Sequence, residues 1–230
     1  MNALIGHTGL IGSVLAGGVD LDLTYNSANI DQIAHREFDT VYCAAPSGNR
    51  LLANQDPDWD NKNIQRLAEN LRTITANRFV LIGSVDAVYA PDSVYGGNRL
   101  ALEQFAQTQF EHCYVVRLCT LIHPRISKNL LFDIRHRQYL DRVNGAVVRQ
   151  YYPLNRLCAD VDTVIQHDVR TVNLVSEPVS DQEIIQQFCP DVAITNTPVN
   201  PYNLHSTEPF GQYVISRQQV FEHVTEYMND

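Results

Sequence analysis

Two rhythms of apolar residues alternate along the chain. Residues 2–5, 21–25, 40–44, 78–82, 114–122 and 171–175 form short, nearly continuous apolar or β-branched runs bounded by turn residues. Runs of that length and kind read as buried strands. Between them lie segments with helical spacing. Residues 10–16 are small and apolar, and 30–35 carry a short helical pattern. Residues 58–77 place Ile64, Leu67, Ala68, Leu71 and Ile74 on one helical face, and 95–110 do the same with Leu102, Phe105 and Ala106. The alternation predicts an α/β fold whose parallel sheet is covered by helices on both faces. The second half is less regular. Helices are expected at 128–140, 160–167, 181–188 and 215–228, and a strand at 146–151. Pro198, Pro201 and Pro209 mark a surface loop over 196–209.

Composition narrows the classes of function. The 230 residues are 44% hydrophobic and 19% charged, as in an ordinary globular protein. With 17 Lys and Arg against 26 Asp and Glu, the net charge of −9 argues against a nucleic-acid partner. An anionic substrate would need a local cluster of cations. No run approaches the ~18 apolar residues of a membrane span. The apolar stretch 3–19 has no basic residue before it, and its first charge is Asp20, so it is not expected to be a secretory leader. Cysteines 43, 113, 119, 158 and 189 are odd in number and include no C-x-x-C pair. That predicts neither a disulfide framework nor a zinc site, and a reducing, cytoplasmic setting. His7, His112, His123, His136 and His205 show no metal spacing, and no metal is expected.

One motif carries chemistry. Gly6-His7-Thr8-Gly9-Leu10-Ile11-Gly12 follows the first strand and opens the first helix. The free N–H groups at a helix start favour a pyrophosphate, and glycines let the backbone turn tightly and approach it. The spacing is G-x-x-G-x-x-G rather than G-x-G-x-x-G.

From this loop onward the chain resembles the extended short-chain dehydrogenase/reductases, which include NAD(P)-dependent nucleotide-sugar epimerases, dehydratases and reductases. "LIGHTGLIGSVL" looks like that family's first turn, and "DTVYCAAPSG" is similar to its strand ending in two alanines beside the nicotinamide. "NIQRLAENL", "RFVLIGSVDAVY", "YGGNRLALEQF" and "VVRLCTLIHPR" follow in the family's order, over roughly residues 1–180. The resemblance implies a Rossmann-type, doubly wound, mainly parallel sheet with a small C-terminal substrate lobe. The chain is then a single domain. Its nucleotide-binding core spans about 1–122 plus 160–176, and its lobe about 123–159 and 177–230. The loop residues Gly6, Thr8, Gly9, Leu10, Ile11 and Gly12, with Ala44 and Ala45, are expected to hold the cofactor.

Tyr95 and Arg99 lie four apart on one helical face and match the family's Y-x-x-x-K. A cation there favours the phenolate, so Tyr95 is the expected acid/base, with Arg99 tuning it and touching the cofactor. Arg in place of Lys is wider and does not deprotonate. Ser84 is the expected substrate-orienting hydroxyl, although counting back from Val88-Tyr89 lands on Val85, and Asp86 is a candidate second acid. Thr120, Arg125, Lys128 and Asn129 are the expected substrate contacts, in the region where the family meets a nucleotide-sugar diphosphate, and Arg156 is a further candidate cation.

The adenine ribose is expected to meet the residue about 20 positions after the loop, here Asn26, followed by Ser27. Neither repels a 2′-phosphate, and the nearest arginine in sequence is Arg36, so NADP is slightly favoured over NAD. The short interval between residues 25 and 40 omits one strand of the larger family members. The sheet order should be 2-1-3-4-5-6, counted by the chain's own strands. The leading reading is hydride transfer between a nicotinamide and a carbonyl or carbinol carbon of a small-molecule substrate. The alternative is a non-catalytic NAD(P)-binding regulatory module. Residues 58–77 have one apolar stripe, which the sheet consumes, so a monomer or weak homodimer is expected.

Overall fold

The computed structural model describes residues 1–200 and 202–230; Pro201, one of the prolines of the expected loop, lies outside the described residues. The elements begin with β1 (Asn2–Ile5), α1 (Leu10–Ala16), β2 (Leu23–Tyr25), a 3₁₀ turn at Ile30–Ile33, β3 (Glu37–Cys43), α2 (Arg50–Gln55) and α3 (Pro57–Leu71). They continue with β4 (Thr75–Ser84), α4 (Asp86–Tyr89), α5 (Val94–Gln109), β5 (Cys113–Leu118), β6 (Thr120–Ile122), α6 (Leu130–Arg135), β7 (Val148–Arg149) and β8 (Tyr151–Pro153). The last are α7 (Leu157–Gln166), β9 (Thr171–Leu174), β10 (Val179–Ser180), α8 (Asp181–Phe188) and α9 (Arg217–Asn229). Two compact units result. One holds Met1–Leu118 and Arg156–Val172; the other holds Cys119–Asn155 and Asn173–Asp230.

Six parallel strands run in the order β2-β1-β3-β4-β5-β9, the order expected from the missing strand. Ile5 stands opposite Tyr25 on one side and Cys43 on the other, so β1, β2 and β3 end level with one another. Alternate residues explain the apolar runs. Ala3, Ile5, Val41, Phe79, Leu81 and Val115 pack with Leu67 and Leu71 of α3 and with Leu102 and Ala106 of α5. The Phe79 and Phe110 rings stack at 4.2 Å. Leu4, Tyr42, Val80, Tyr114 and Val116 are buried as well, which is why these strands lack a polar face.

Several boundaries differ from expectation for local reasons. α3 starts at Pro57, capped by Asp56, whose Oδ1 accepts from Trp59 N at 3.0 Å. It stops at Leu71; Ile74, which fits the helical stripe, instead leads into β4 and is buried there. α2 lies where the sequence pattern predicts no helix. It has six residues and is capped by Asn49. The apolar run 114–122 is two strands, β5 in the main sheet and β6, which pairs in parallel with β8. α6 is far shorter than 128–140, because Arg137 and Tyr139 take left-handed backbone just after it.

In the second unit, buried Gln150 holds three chain segments: its Nε2 donates to the Ser176 and Leu204 carbonyls, and its Oε1 accepts from Leu204 N. Buried Asp181 takes two bonds from Arg149, at 2.7 and 2.8 Å. Ser180 and Ser216 begin α8 and α9 with capping boxes.

Two buried ion pairs fix α5. Arg99 reaches Asp60 of α3 at 3.1 and 3.2 Å, with side-chain exposures of 5% and 0%. Glu103 accepts from Arg117 of β5 at 2.7 Å. Removing one partner strands a charge without water. Asp60→Ala is therefore expected to cost about 3–5 kcal/mol, read as a lowered midpoint in chemical denaturation.

Candidate active site

The glycine loop lies where the strand ends converge. Gly6 has φ +90°, donates its N–H to the Tyr25 carbonyl at 2.8 Å, and accepts from Gly9 N at 3.0 Å. His7 Nδ1 lies 3.0 Å from the same Tyr25 oxygen. A Cβ on Gly6 would come within 2.7 Å of the Ala44 carbonyl at the end of β3, and one on Gly12 within 2.1 Å of the Gly6 carbonyl. Those two glycines are demanded by the fold. Gly9 is different: it is exposed, and a Cβ there would come no nearer than 3.5 Å to protein. Its missing side chain leaves open the space above the loop, which is what a close-approaching pyrophosphate requires. The first amides of α1, on Leu10 and Ile11, lie ahead of the helix's own carbonyls and have no intrahelical partner. Thr8 is exposed beside them. The donor set fits a dinucleotide.

Asn26 and Ser27 follow directly on β2. Asn26 Oδ1 accepts from Ala28 N at 2.8 Å, closing a local turn that Asn29 completes by accepting from Asn26 N. The absence of an adjacent arginine is corrected by the structure. Arg66, on α3, donates to the Ser27 carbonyl at 2.9 Å and grips Asp31 through Nε and Nη2. Arg36, the nearest in sequence, instead bonds the Gln32 carbonyl. Sequence spacing does not single out Arg66, because it lies 39 residues from Ser27, among solvent-facing polar residues of its helix.

The expected reacting residues share the first unit. Tyr95 stands in the first turn of α5, 7% exposed, with its N–H on Asn54 Oδ1 at 3.0 Å. The Arg99 guanidinium lies over its ring, 4.3 Å from the centroid. Arg99 Nη2 also donates to the Ser47 carbonyl at 2.7 Å, so this cation is engaged by protein rather than presented to solvent. A Cβ on Gly48 would stand 4.0 Å from the Tyr95 hydroxyl, which puts the turn after β3 beside the phenol. Ala44 donates to the Ile5 carbonyl, and Ala45 follows it, half-buried. Ser84 closes β4, and its Oγ accepts from Asp86 N at 3.2 Å. Val85, the alternative register, is buried and carries no hydroxyl. Burial pushes the Asp86 carboxyl above the usual range, and Arg50, 3.4 Å away, opposes that rise.

Thr120, Arg125, Lys128 and Asn129 belong to the second unit. Thr120 sits on β6, and Arg125 and Lys128 are exposed on the turn after it. Desolvation holds the Lys128 ammonium below its ordinary pKa. Asn129 is engaged in the fold itself. Its Oδ1 caps α6 through Phe132 N, and its Nδ2 bonds the Leu121 carbonyl. Arg156 belongs to the first unit and pairs with Asp160 at 3.3 Å. Arg149 carries no sequence signal of a site, yet its Asp181 partner orients it while the side chain stays 36% exposed. Among the described residues no group of His, Cys, Asp or Glu could hold a metal ion.

No family model and no curated protein matches the sequence. Solved structures do match in fold. A UDP-glucose 4-epimerase from Thermotoga maritima, solved with UDP-glucose, has a TM-score of 0.67 at 15% identity, over 100% of this chain and 99% of its own. A UDP-N-acetylglucosamine 4-epimerase from Methanobrevibacter ruminantium, in complex with UDP-N-acetylmuramic acid, gives 0.72 at 14% identity, over 99% and 96%. A dTDP-4-dehydrorhamnose reductase from Bacillus anthracis, in complex with NADP, gives 0.64 at 13% identity, over 99% and 98%. The chain thus has the Rossmann-type fold of the extended short-chain dehydrogenase/reductases, the family its motifs resemble.

Because the fold does not need glycine at position 9, Gly9→Val should keep the wild-type thermal midpoint while abolishing measurable NAD(P)H binding in a fluorescence titration. Unchanged affinity would remove the loop from the nucleotide site.

Proposed function

We propose that the protein is an NAD(P)-dependent enzyme acting on a hydroxyl or carbonyl of a small molecule, in the manner of nucleotide-sugar epimerases, dehydratases and reductases. The observation that carries this reading is the loop at the level ends of β1, β2 and β3, with its open Gly9, in the same unit as a buried Tyr95 stacked under Arg99. Gly6, Thr8, Gly9, Leu10, Ile11 and Gly12 hold the pyrophosphate, Asn26 and Ser27 face the adenine ribose, and Ala44 and Ala45 flank the nicotinamide. When bound, that cofactor supplies or accepts hydride.

The chain's own residues handle the proton. The Tyr95 hydroxyl gives a proton to the substrate oxygen in reduction and takes it in oxidation. The Ser84 hydroxyl, whose oxygen already accepts from Asp86 N, donates to that same substrate oxygen and fixes its position. Arg99 acts on Tyr95 through the ring face, and Asp60 holds it there. Arg125 and Lys128 supply the positive charge that an acidic chain otherwise lacks for a diphosphate, with Thr120 beside them. Arg149 joins this set, since three of its five N–H groups remain after the Asp181 pairing. Arg156, paired with Asp160 through Nε and Nη2, likewise keeps three N–H groups, whereas Asn129 is committed to its cap, which makes it a weaker candidate than its sequence position suggests.

The exposed flank of α3, with Asn61, Gln65 and Glu69, suits a monomer or weak homodimer. No helix among the described residues is long and apolar enough to cross a membrane. The five free cysteines accord with a reducing cytoplasm.

One observation favours the second reading, a nucleotide-binding module without turnover. Three of the five Arg99 N–H groups that would meet a nicotinamide ribose go instead to Asp60 and the Ser47 carbonyl, and the side chain is 5% exposed. Tyr95→Phe separates the two readings. For an enzyme, the variant should retain cofactor affinity within a few fold and lose about 10²–10⁴ in rate, measured as NAD(P)H absorbance change with carbonyl compounds and nucleotide sugars. Wild-type protein that binds the cofactor but transfers no hydride across that panel supports the module instead.

A further inference from the structure

We infer that Arg66 is the residue that receives the 2′-phosphate of NADP(H), making the nucleotide site selective for the phosphorylated cofactor. The inference rests on reading the glycine loop as a nucleotide site and deepens it. The loop and the end of β2 are one hydrogen-bonded unit, since Gly6 N and His7 Nδ1 both meet the Tyr25 carbonyl. Ligands of open parallel sheets lie beyond the carboxyl ends of the strands, and the ribose of an adenine dinucleotide meets the end of the second one. The residues found there are Asn26 and Ser27, and the group gripping their backbone is the Arg66 guanidinium.

The local chemistry favours a phosphate over a free diol. A diol needs acceptors. Asn26 Oδ1 already accepts from Ala28 N, and three of the roughly four acceptor sites of Asp31 are used, by Arg66 and by Asn70 Nδ2. Asp31 is the first carboxylate after β2, and here its charge is matched by a bidentate guanidinium instead of standing bare to repel an anion. A 2′-phosphate needs donors. Arg66 uses three of its five N–H groups on Asp31 and Ser27, keeps two, and has a side chain 45% exposed. Asp31 and the Ser27 carbonyl hold the guanidinium at the strand end before any ligand arrives, which lowers the ordering cost of binding. Lys62, four residues before Arg66 on the same helix, is exposed as well.

Binding, rather than turnover, tests this. NADPH and NADH are titrated by intrinsic fluorescence against wild type, Arg66→Gln, Arg66→Lys and Asp31→Asn, with 2′,5′-ADP and 5′-ADP as probes that lack the nicotinamide half. The expected wild-type order is NADPH ahead of NADH and 2′,5′-ADP ahead of 5′-ADP. Arg66→Gln should weaken NADPH and 2′,5′-ADP by about ten- to a hundredfold, the range of one or two charge-assisted bonds, and leave NADH and 5′-ADP within about twofold. Arg66→Lys should restore part of the loss. Asp31→Asn, which loosens the hold on the guanidinium, should weaken NADPH and 2′,5′-ADP by less than Arg66→Gln does and leave NADH and 5′-ADP within about twofold. An unchanged NADPH-to-NADH ratio in Arg66→Gln, or equal weakening of both, overturns the assignment while the nucleotide site stands. Failure of wild type to bind any of the four nucleotides overturns the site itself, and the assignment with it.

Discussion

The rest of the architecture depends on one close approach. Gly6 leaves β1 with φ +90° and packs its α-carbon against the carbonyl end of β3, while its N–H ties it to the end of β2 and its carbonyl both receives Gly9 N and abuts Gly12. Three strand ends and the start of α1 therefore meet at a residue with no room for a side chain. Only such a turn lets α1 fold back immediately over the sheet, and only then is Gly9 raised to the surface. Two of the glycines serve the fold, and the third leaves open space above the loop.

The second organising feature is a column of charge inside α5. Tyr95, Arg99 and Glu103 follow one another at four-residue steps, and the two charged members find partners on different elements, Asp60 of α3 and Arg117 of β5. Burial alone pushes the Glu103 carboxyl upward, and Arg117 opposes that rise. Pairs of this kind seldom add much stability over apolar packing, but each is costly to leave half-made. Their effect is to allow a single seating of α5 against its neighbours. A slip by one residue would separate both pairs at once, and with them the guanidinium from the Tyr95 ring.

Much of this is legible in the residues. The order of the six strands follows from the alternation of runs and from the short interval before β3. The loop stands out by spacing, and Tyr95 and Arg99 by their resemblance to the family's Y-x-x-x-K helix. What escapes detection has physical reasons. α2 is too short to show a helical period, and its signal is only Asn49 as a cap. The run through Cys119 is uniformly apolar, so nothing in it says that β5 and β6 pair with different partners. The end of α6 is set by left-handed Arg137 and Tyr139, residue types that give no warning of it. The role of Arg66 depends on a contact spanning 39 positions, and the commitment of Asn129 to a cap appears only when α6 is seen to start at the next residue.

The outer border of the sheet is formed by its shortest strand. β2 is three residues long and lies at the edge of the order, with Asp20 and Asp22 just before it and Asn26 just after. Asp22 also turns its carboxylate onto the N–H of Asn2, closing the border at its lower end. An edge this short and this acidic offers a foreign strand few unpaired amides and a repelling flank. The border is thus not a sticky one, and the chain is protected there against polymerising through its own backbone.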